Sequence, residues 1–211
     1  MSQSTASSAS ATEWERRKLA AMSRIQQVAL DLFDAHGYRQ VTVERVAAAA
    51  GVSPSSIYRY FGTKEMLVLY DEADPKVIDV LRTAGGGETL EITELIAIAR
   101  PLVPIMAEAL LTADTERRVR RSMHYVRTIP EVRDGQVRQM RDLENQFRVL
   151  FAQRSGRDPN DLKVRMAAAF VVWGSMAALD HWAEAGFAGR LKDIYVDEIG
   201  SAVDAIESLF G

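Results

Sequence analysis

The chain has 211 residues, no cysteine and 47% apolar side chains, and its 26 Lys+Arg against 29 Asp+Glu give a formal net charge of −3. That length suits one large domain or a small domain joined to a larger one; the apolar fraction supports a real core. The missing cysteines exclude disulfides, cysteine–zinc sites and thiol nucleophiles, and they fit a reducing cytoplasm.

The longest nearly apolar run, Met166 to Leu179, stops at 14 residues, short of the ~20 that a membrane-spanning helix needs. Mild acidity, taken alone, speaks against a nucleic-acid partner. Residues 1–12 are almost all Ser, Thr and Ala. They lack the basic start and apolar centre of a secretory signal and predict a disordered tail.

From Glu13 onward the period is helical. Ile25, Val28, Ala29, Leu32 and Phe33 share one face of a helix that ends at Gly37. Thr42 caps a short helix from Val43 to Ala50 that Gly51 terminates, and Ser53-Pro54 opens another through Tyr60 or Phe61. Thr63 is placed to cap a fourth helix with Met66, Tyr70, Ala73, Val77 and Val80 on one face. Pro75 falls inside it, so that helix either kinks or ends and restarts.

After Gly85-Gly86-Gly87, helices are expected at about 89–112, 115–129, 130–156, 160–185 and 191–209. No β-branched alternating run bounded by turn residues predicts a sheet. The expectation is an all-α chain. A small three-helix module at 13–62 precedes a larger helical bundle at 63–211.

The two short helices joined at Ala50-Gly51-Val52-Ser53 have the form of a helix-turn-helix, whose second helix enters the DNA major groove. An ordinary helical hairpin has the same outline, so residue types have to separate the two. Ser53, Pro54, Ser55 and Ser56 are short groups that let a helix end approach base edges. Ile57 and Phe61 fall at i and i+4 and point inward. Tyr58, Arg59 and Tyr60 then fan outward with donors suited to phosphates and bases. Lys64, placed at the start of the fourth helix, opposes the macrodipole unless a phosphate binds there.

These residues resemble the TetR family of transcriptional regulators. The pattern runs from Ile25, Val28-Ala29 and Leu32-Phe33 through Gly37-Tyr38, Val41-Thr42-Val43, Val46-Ala47 and Ala50-Gly51-Val52-Ser53 to Ile57-Tyr58-Arg59-Tyr60-Phe61 and Thr63-Lys64-Glu65. The resemblance implies a homodimer with recognition helices in successive major grooves of a palindromic double-stranded operator. It also implies a small-molecule effector held by the larger domain. By position in the motif, Thr42 and Arg45 would touch phosphates. Ser53, Pro54, Ser55, Ser56, Tyr58, Arg59 and Tyr60 would supply recognition, and Lys64 would hold a phosphate. Arg16, Arg17 and Lys18 are placed to reach the DNA backbone or simply to face solvent.

In the last helix Val196, Ile199, Val203, Ile206 and Phe210 recur at spacings of three and four, a seam between helices. The helix at 160–185 adds Phe170, Gly174, Ala177 and Ala178. In the family these two helices build the dimer interface, while from the residues alone intramolecular packing serves equally well.

Candidates for contact with a sizeable, mostly apolar effector are Met66, Tyr70, Met106, Met123, Met140, Phe147, Phe170 and Trp173, with His124 and Arg127 as polar contacts. Taken singly, a Met or aromatic residue at helical spacing is more often core than pocket, and it is the set together that fits a cavity. The run Arg117-Arg118-Val119-Arg120-Arg121 reads as a solvated face before it reads as an anion site.

The rival classes are a regulator controlled by a protein partner or by no ligand, and an enzyme using a helical cavity. His36, His124 and His181 lie in different helices without zinc-type pairing, and neither a cofactor nor a metal is expected. Asp180-His181 beside Ser175 has poor triad geometry, because neighbours at i and i+1 diverge on a helix. The charge also divides: residues 1–64 hold 8 Lys+Arg and 5 Asp+Glu, whereas the rest holds 18 and 24. The acidity therefore belongs to the larger part, and the small part is basic.

Overall fold

The computed structural model describes residues 3–210, apart from the side chains of 3–12, 15, 87, 202 and 205–210. The described residues contain helices and no strand. The chain forms two compact units, Met1–Glu72 and Ala73–Gly211. The boundary falls beyond the position after Gly62 that the sequence suggests.

In the first unit α1 spans Gln3–His36, α2 Val43–Ala50, α3 Pro54–Phe61 and α4 Met66–Leu69. Helix α1 starts well before Glu13 and runs through the stretch where composition predicts a tail. That stretch contains alanines and neither Gly nor Pro to stop a helix. Met22, Ile25, Ala29, Leu30 and Phe33 are buried, as are Val46, Ala47 and Ala50 of α2, Ile57 and Phe61 of α3, and Leu67 and Val68 of α4. Helix α1 packs on both α2 and α4, which is why α4 belongs to this unit.

The expected fourth helix is two helices. Helix α4 has four residues, Glu65 is its N-cap without a side-chain bond, and Thr63 caps nothing. Helix α5 starts afresh at Ala73 and ends at Thr83. The buried Gln26 amide donates to the carbonyls of Val68 (3.3 Å) and Tyr70 (2.7 Å), taking up acceptors freed where α4 stops. Pro75, in the first turn of α5, lacks an N–H, and its ring would strike the Asp71 carbonyl if the helix continued backward. Pro75→Ala is expected to extend α5 into residues 70–72. Amide exchange there should slow by about tenfold, as measured by hydrogen–deuterium exchange.

The second unit contains α5, α6 (Ile92–Ala99), α7 (Leu102–Leu110), α8 (Ala113–Thr128), α9 (Pro130–Ser155), α10 (Leu162–Glu184) and α11 (Leu191–Phe210). The single helix expected at 89–112 is divided into α6 and α7 at Arg100-Pro101, because a proline cannot continue the ladder from Ala97.

The larger core cluster joins Ile78 of α5, Ile92 and Ile96 of α6, Phe147 and Phe151 of α9, and Val164, Ala168 and Val172 of α10. A smaller one joins Met123 of α8 with Met176 and Ala183 of α10. Helix α10 contains the 14-residue apolar run and has 23 residues in all, long and apolar enough by length and composition to cross a membrane. In this fold Val164, Ala168 and Val172 on its inner face are core residues.

Candidate nucleic-acid interface

The helix-turn-helix is assembled by local chemistry. Thr42 is the N-cap of α2 and its hydroxyl accepts from the Arg45 amide at 3.2 Å. At the other end Gly51 turns left-handed with φ 67°, a conformation costly for any residue with a Cβ. Its amide and that of Val52 return to the last carbonyls of α2. The carbonyl of Ala50 accepts from Arg24 of α1 at 2.9 Å, which ties the turn to the first helix.

Ser53 caps α3. Its hydroxyl accepts from the Ser56 amide at 3.2 Å and lies 2.8 Å from the Ser55 hydroxyl and 2.9 Å from that of Ser56. Loss of either cap, by Thr42→Ala or Ser53→Ala, should cost about 1 kcal/mol of stability in this unit, measurable by urea denaturation.

Helix α3 is seated by Ile57 and Phe61, both buried. Its opposite side carries the groups that the sequence assigns to recognition. Ser53, Pro54, Ser55 and Arg59 are exposed, Tyr58 is 50% exposed, and Ser56 and Tyr60 are half-buried. The Arg59 guanidinium lies 5.0 Å above the Tyr60 ring and 3.4 Å from the Ser56 hydroxyl, so the side of the helix away from Ile57 presents a cation and hydroxyls, with the Tyr58 and Tyr60 phenols flanking Arg59 to either side. Thr42 and Arg45 are exposed at the start of α2. Beside them Glu44 is held below the usual carboxylate range, first by a backbone amide at the helix start and then by the Thr42 hydroxyl.

Lys64 requires a correction. It lies ahead of the Glu65 N-cap rather than within the first turn of α4, so the macrodipole argument does not apply to it. Its ammonium donates to the Tyr38 carbonyl at 2.6 Å and sits 4.1 Å from the Tyr38 ring centroid and 5.6 Å from that of Phe33. Sequence reasoning missed the work done here by Arg24, Gln26 and Tyr38. Their partners lie on other helices, and no local pattern points to them. Arg16 and Arg17, both highly exposed, pair with Glu13.

The effector candidates do not form one group. Met66 and Tyr70 lie in the first unit, where the Tyr70 ring packs 5.7 Å from Phe61. Phe147 is buried in the larger cluster of the second unit, with Phe170 packed against it. Met123 is buried in the smaller cluster, and Met140 touches both. Met106 is half-buried, and His124 and Arg127 are exposed. Trp173 stands on the surface, 38% exposed, donating to Glu144 at 2.9 Å.

Among the dimer candidates Ala177 is exposed and Val196 and Ile199 are half-buried. Phe170 and Val203 pack against the larger intramolecular cluster, and the Ile206 side chain lies outside the described residues. The arginine run of α8 is largely engaged within the chain. Arg117 pairs with Asp114 and Arg120 with Glu116, and the Arg120 guanidinium covers the Trp182 ring at 4.6 Å.

Residues 25–70 match the family model of bacterial regulatory proteins, tetR family, and residues 101–205 match that of the MftR C-terminal domain. A Mycobacterium tuberculosis protein described as a mycofactocin biosynthesis transcriptional regulator, MftR, is 22% identical over 194 residues, covering 90% of this chain and 91% of that one. Two crystal structures of NalD, the secondary repressor of the MexAB-OprM multidrug efflux pump in Pseudomonas aeruginosa, share the fold. One aligns with a TM-score of 0.53 and 17% identity over 90% of this chain and 96% of the other. The second aligns with a TM-score of 0.51 and 18% identity over 88% and 94%. With the first family model spanning the helix-turn-helix and the second most of the helical bundle, the chain belongs to the TetR family of transcriptional regulators, which are not enzymes.

Proposed function

We propose that this regulator is a repressor that binds a palindromic operator as a homodimer and is released when a small, mostly apolar effector occupies the second unit. The observation that carries the DNA half is the two-sided α3. Ile57 and Phe61 lock it to the module, while Ser53, Ser55, Tyr58 and Arg59 stay exposed. A helix used only for packing has no reason to present that set together. In this reading Thr42, Arg45 and Lys64 position the phosphates, and the α3 side chains read bases. The basic charge of residues 1–64 supports it, because a dimer doubles that charge on the DNA side.

Two-fold symmetry supplies the second half-site that one short helix lacks, with recognition helices ~34–36 Å apart or a multiple of that. The outer surface of α10, with Trp173 and Ala177 exposed, supports a role for that helix in pairing. The effector half rests on the methionines and aromatics of the second unit, where Met123, Met140 and Phe147 come from α8 and α9. An effector that prefers a different spacing of the recognition helices weakens DNA binding by that preference, typically ~1–3 kcal/mol.

The test is binding of the purified protein to DNA upstream of its own gene, titrated with salt. Log affinity should fall steeply against log salt, with a slope of about −0.9 for each phosphate contacted. Absence of sequence-preferring binding at low salt would sink the reading.

A further inference from the structure

Arg154, on α9, is 6% exposed, and its whole guanidinium is committed to backbone carbonyls. Nη1 donates to Leu81 (2.8 Å) and Arg82 (2.9 Å), Nη2 to Ala84 (2.7 Å) and Glu88 (3.2 Å), and Nε to Glu88 (3.3 Å). The Leu90 amide donates back to the Arg154 carbonyl at 2.9 Å. These acceptors are the last carbonyls of α5 and the loop after it, which carry the negative end of that helix. The loop curls round the cation because Gly85 and Gly86 adopt φ of 62° and 73°. A Cβ on Gly85 would stand 2.9 Å from Ile98 Cδ1 and 3.1 Å from Leu90 Cδ1. The guanidinium is a rigid planar fork, so bonds from both of its edges fix direction as well as distance. Val77, Ile78 and Leu81 hold the apolar face of α5 on the same core.

At its other end α5 begins at Ala73, with three residues between it and the end of α4 in the DNA-binding unit. We propose that Arg154 is a positioning residue that locks the far end of α5 to α9 and so sets the operator half-site spacing that the dimer accepts. This rests on the reading of the chain as a dimeric operator-binding protein. The lever is long enough to matter. Eleven residues of helix span roughly 16 Å, so a tilt of about 10° at the anchored end moves the start by about 3 Å. That is close to the ~3.4 Å rise of one base pair.

The test measures affinity for a series of operators whose half-site spacing is changed by one base pair in either direction. Wild type, Arg154→Lys and Val126→Ala are compared at matched fractions folded. Lysine keeps the charge but donates from a single point. Val126 is buried in α8 and serves as a destabilising control away from the clamp. Wild type and Val126→Ala should favour the best spacing by about tenfold, an ordinary coupling magnitude, and Arg154→Lys by less than about threefold. Gly85→Ala, whose Cβ would crowd Ile98 and Leu90 and lie 3.8 Å from Arg154 Nη2, strains the same loop while keeping the guanidinium, and should behave like Arg154→Lys. If wild type binds with a spacing preference and Arg154→Lys keeps it, the Arg154 role is overturned while the regulator reading stands. If wild type shows no sequence-preferring binding, that reading fails and this proposal fails with it.

Discussion

Phe33→Ala should destabilise the DNA-binding unit by about 3–5 kcal/mol, the cost of deleting a large aromatic from a closed core. Phe33 is 1% exposed and meets the Tyr38 ring edge-on at 5.0 Å, while the Lys64 ammonium lies over both rings. Removing the ring therefore opens a cavity and takes away the floor on which Lys64 rests. Small domains have only ~5–15 kcal/mol of stability in all. A loss of this size leaves a unit of about seventy residues close to unfolding at room temperature. Phe33→Leu, which restores much of the volume, should cost less than half as much. Urea titration with hydrogen exchange resolved to residues 22–69 measures both variants, and equal stability of Phe33→Ala and wild type would refute this packing. The second unit has its own core around Phe147 and Phe151, and its exchange should be unchanged.

What could be read from the sequence divides according to where the deciding interaction lies. The limits of α2 and α3 were legible because Thr42, Gly51 and Ser53-Pro54 act within three or four residues of the helix end that they define. The split between α6 and α7 was equally local. Pro101 signals it, but the apolar pattern on both sides reads as continuous. Helix four failed for a different reason. Thr63 looks like a cap, yet the chain there is arranged by Lys64 reaching Tyr38, 26 residues away, and by Gln26 taking the carbonyls where α4 ends.

Arg154 shows the limit most clearly. In sequence it is one more charge in a polar helix, and every partner of its guanidinium lies 66–73 residues upstream. The same limit scatters the effector candidates. Periodicity identifies Met140 and Trp173 as large residues on helices, but only the fold shows one between two clusters and the other at the surface.

Arg59→Ala should reduce operator affinity by about 2–6 kcal/mol, roughly 30-fold to 25,000-fold, if each of two copies loses one base contact worth about 1–3 kcal/mol. The fold should hardly change. Arg59 is exposed, and its contacts are the Tyr60 ring at 5.0 Å and a long 3.4 Å approach to Ser56, so the stability change should stay within about 0.5 kcal/mol. Two readouts separate the ways in which the guanidinium can act. If it reads a base, Arg59→Ala flattens preference at one position of each half-site and leaves the salt slope nearly unchanged. If it holds a phosphate, preference survives and the slope of log affinity against log salt becomes shallower by about 1.8 for two copies.

Arg59→Lys sharpens the distinction, because lysine keeps the charge but loses the planar fork that a guanine edge accepts. A base contact should be lost with lysine almost as fully as with alanine, whereas a phosphate contact should be largely restored. The stacking on Tyr60 favours the first outcome, since it holds the fork at a set angle before DNA arrives and lowers the ordering cost of a directional contact. Wild-type affinity and slope in Arg59→Ala would remove Arg59 from the DNA interface.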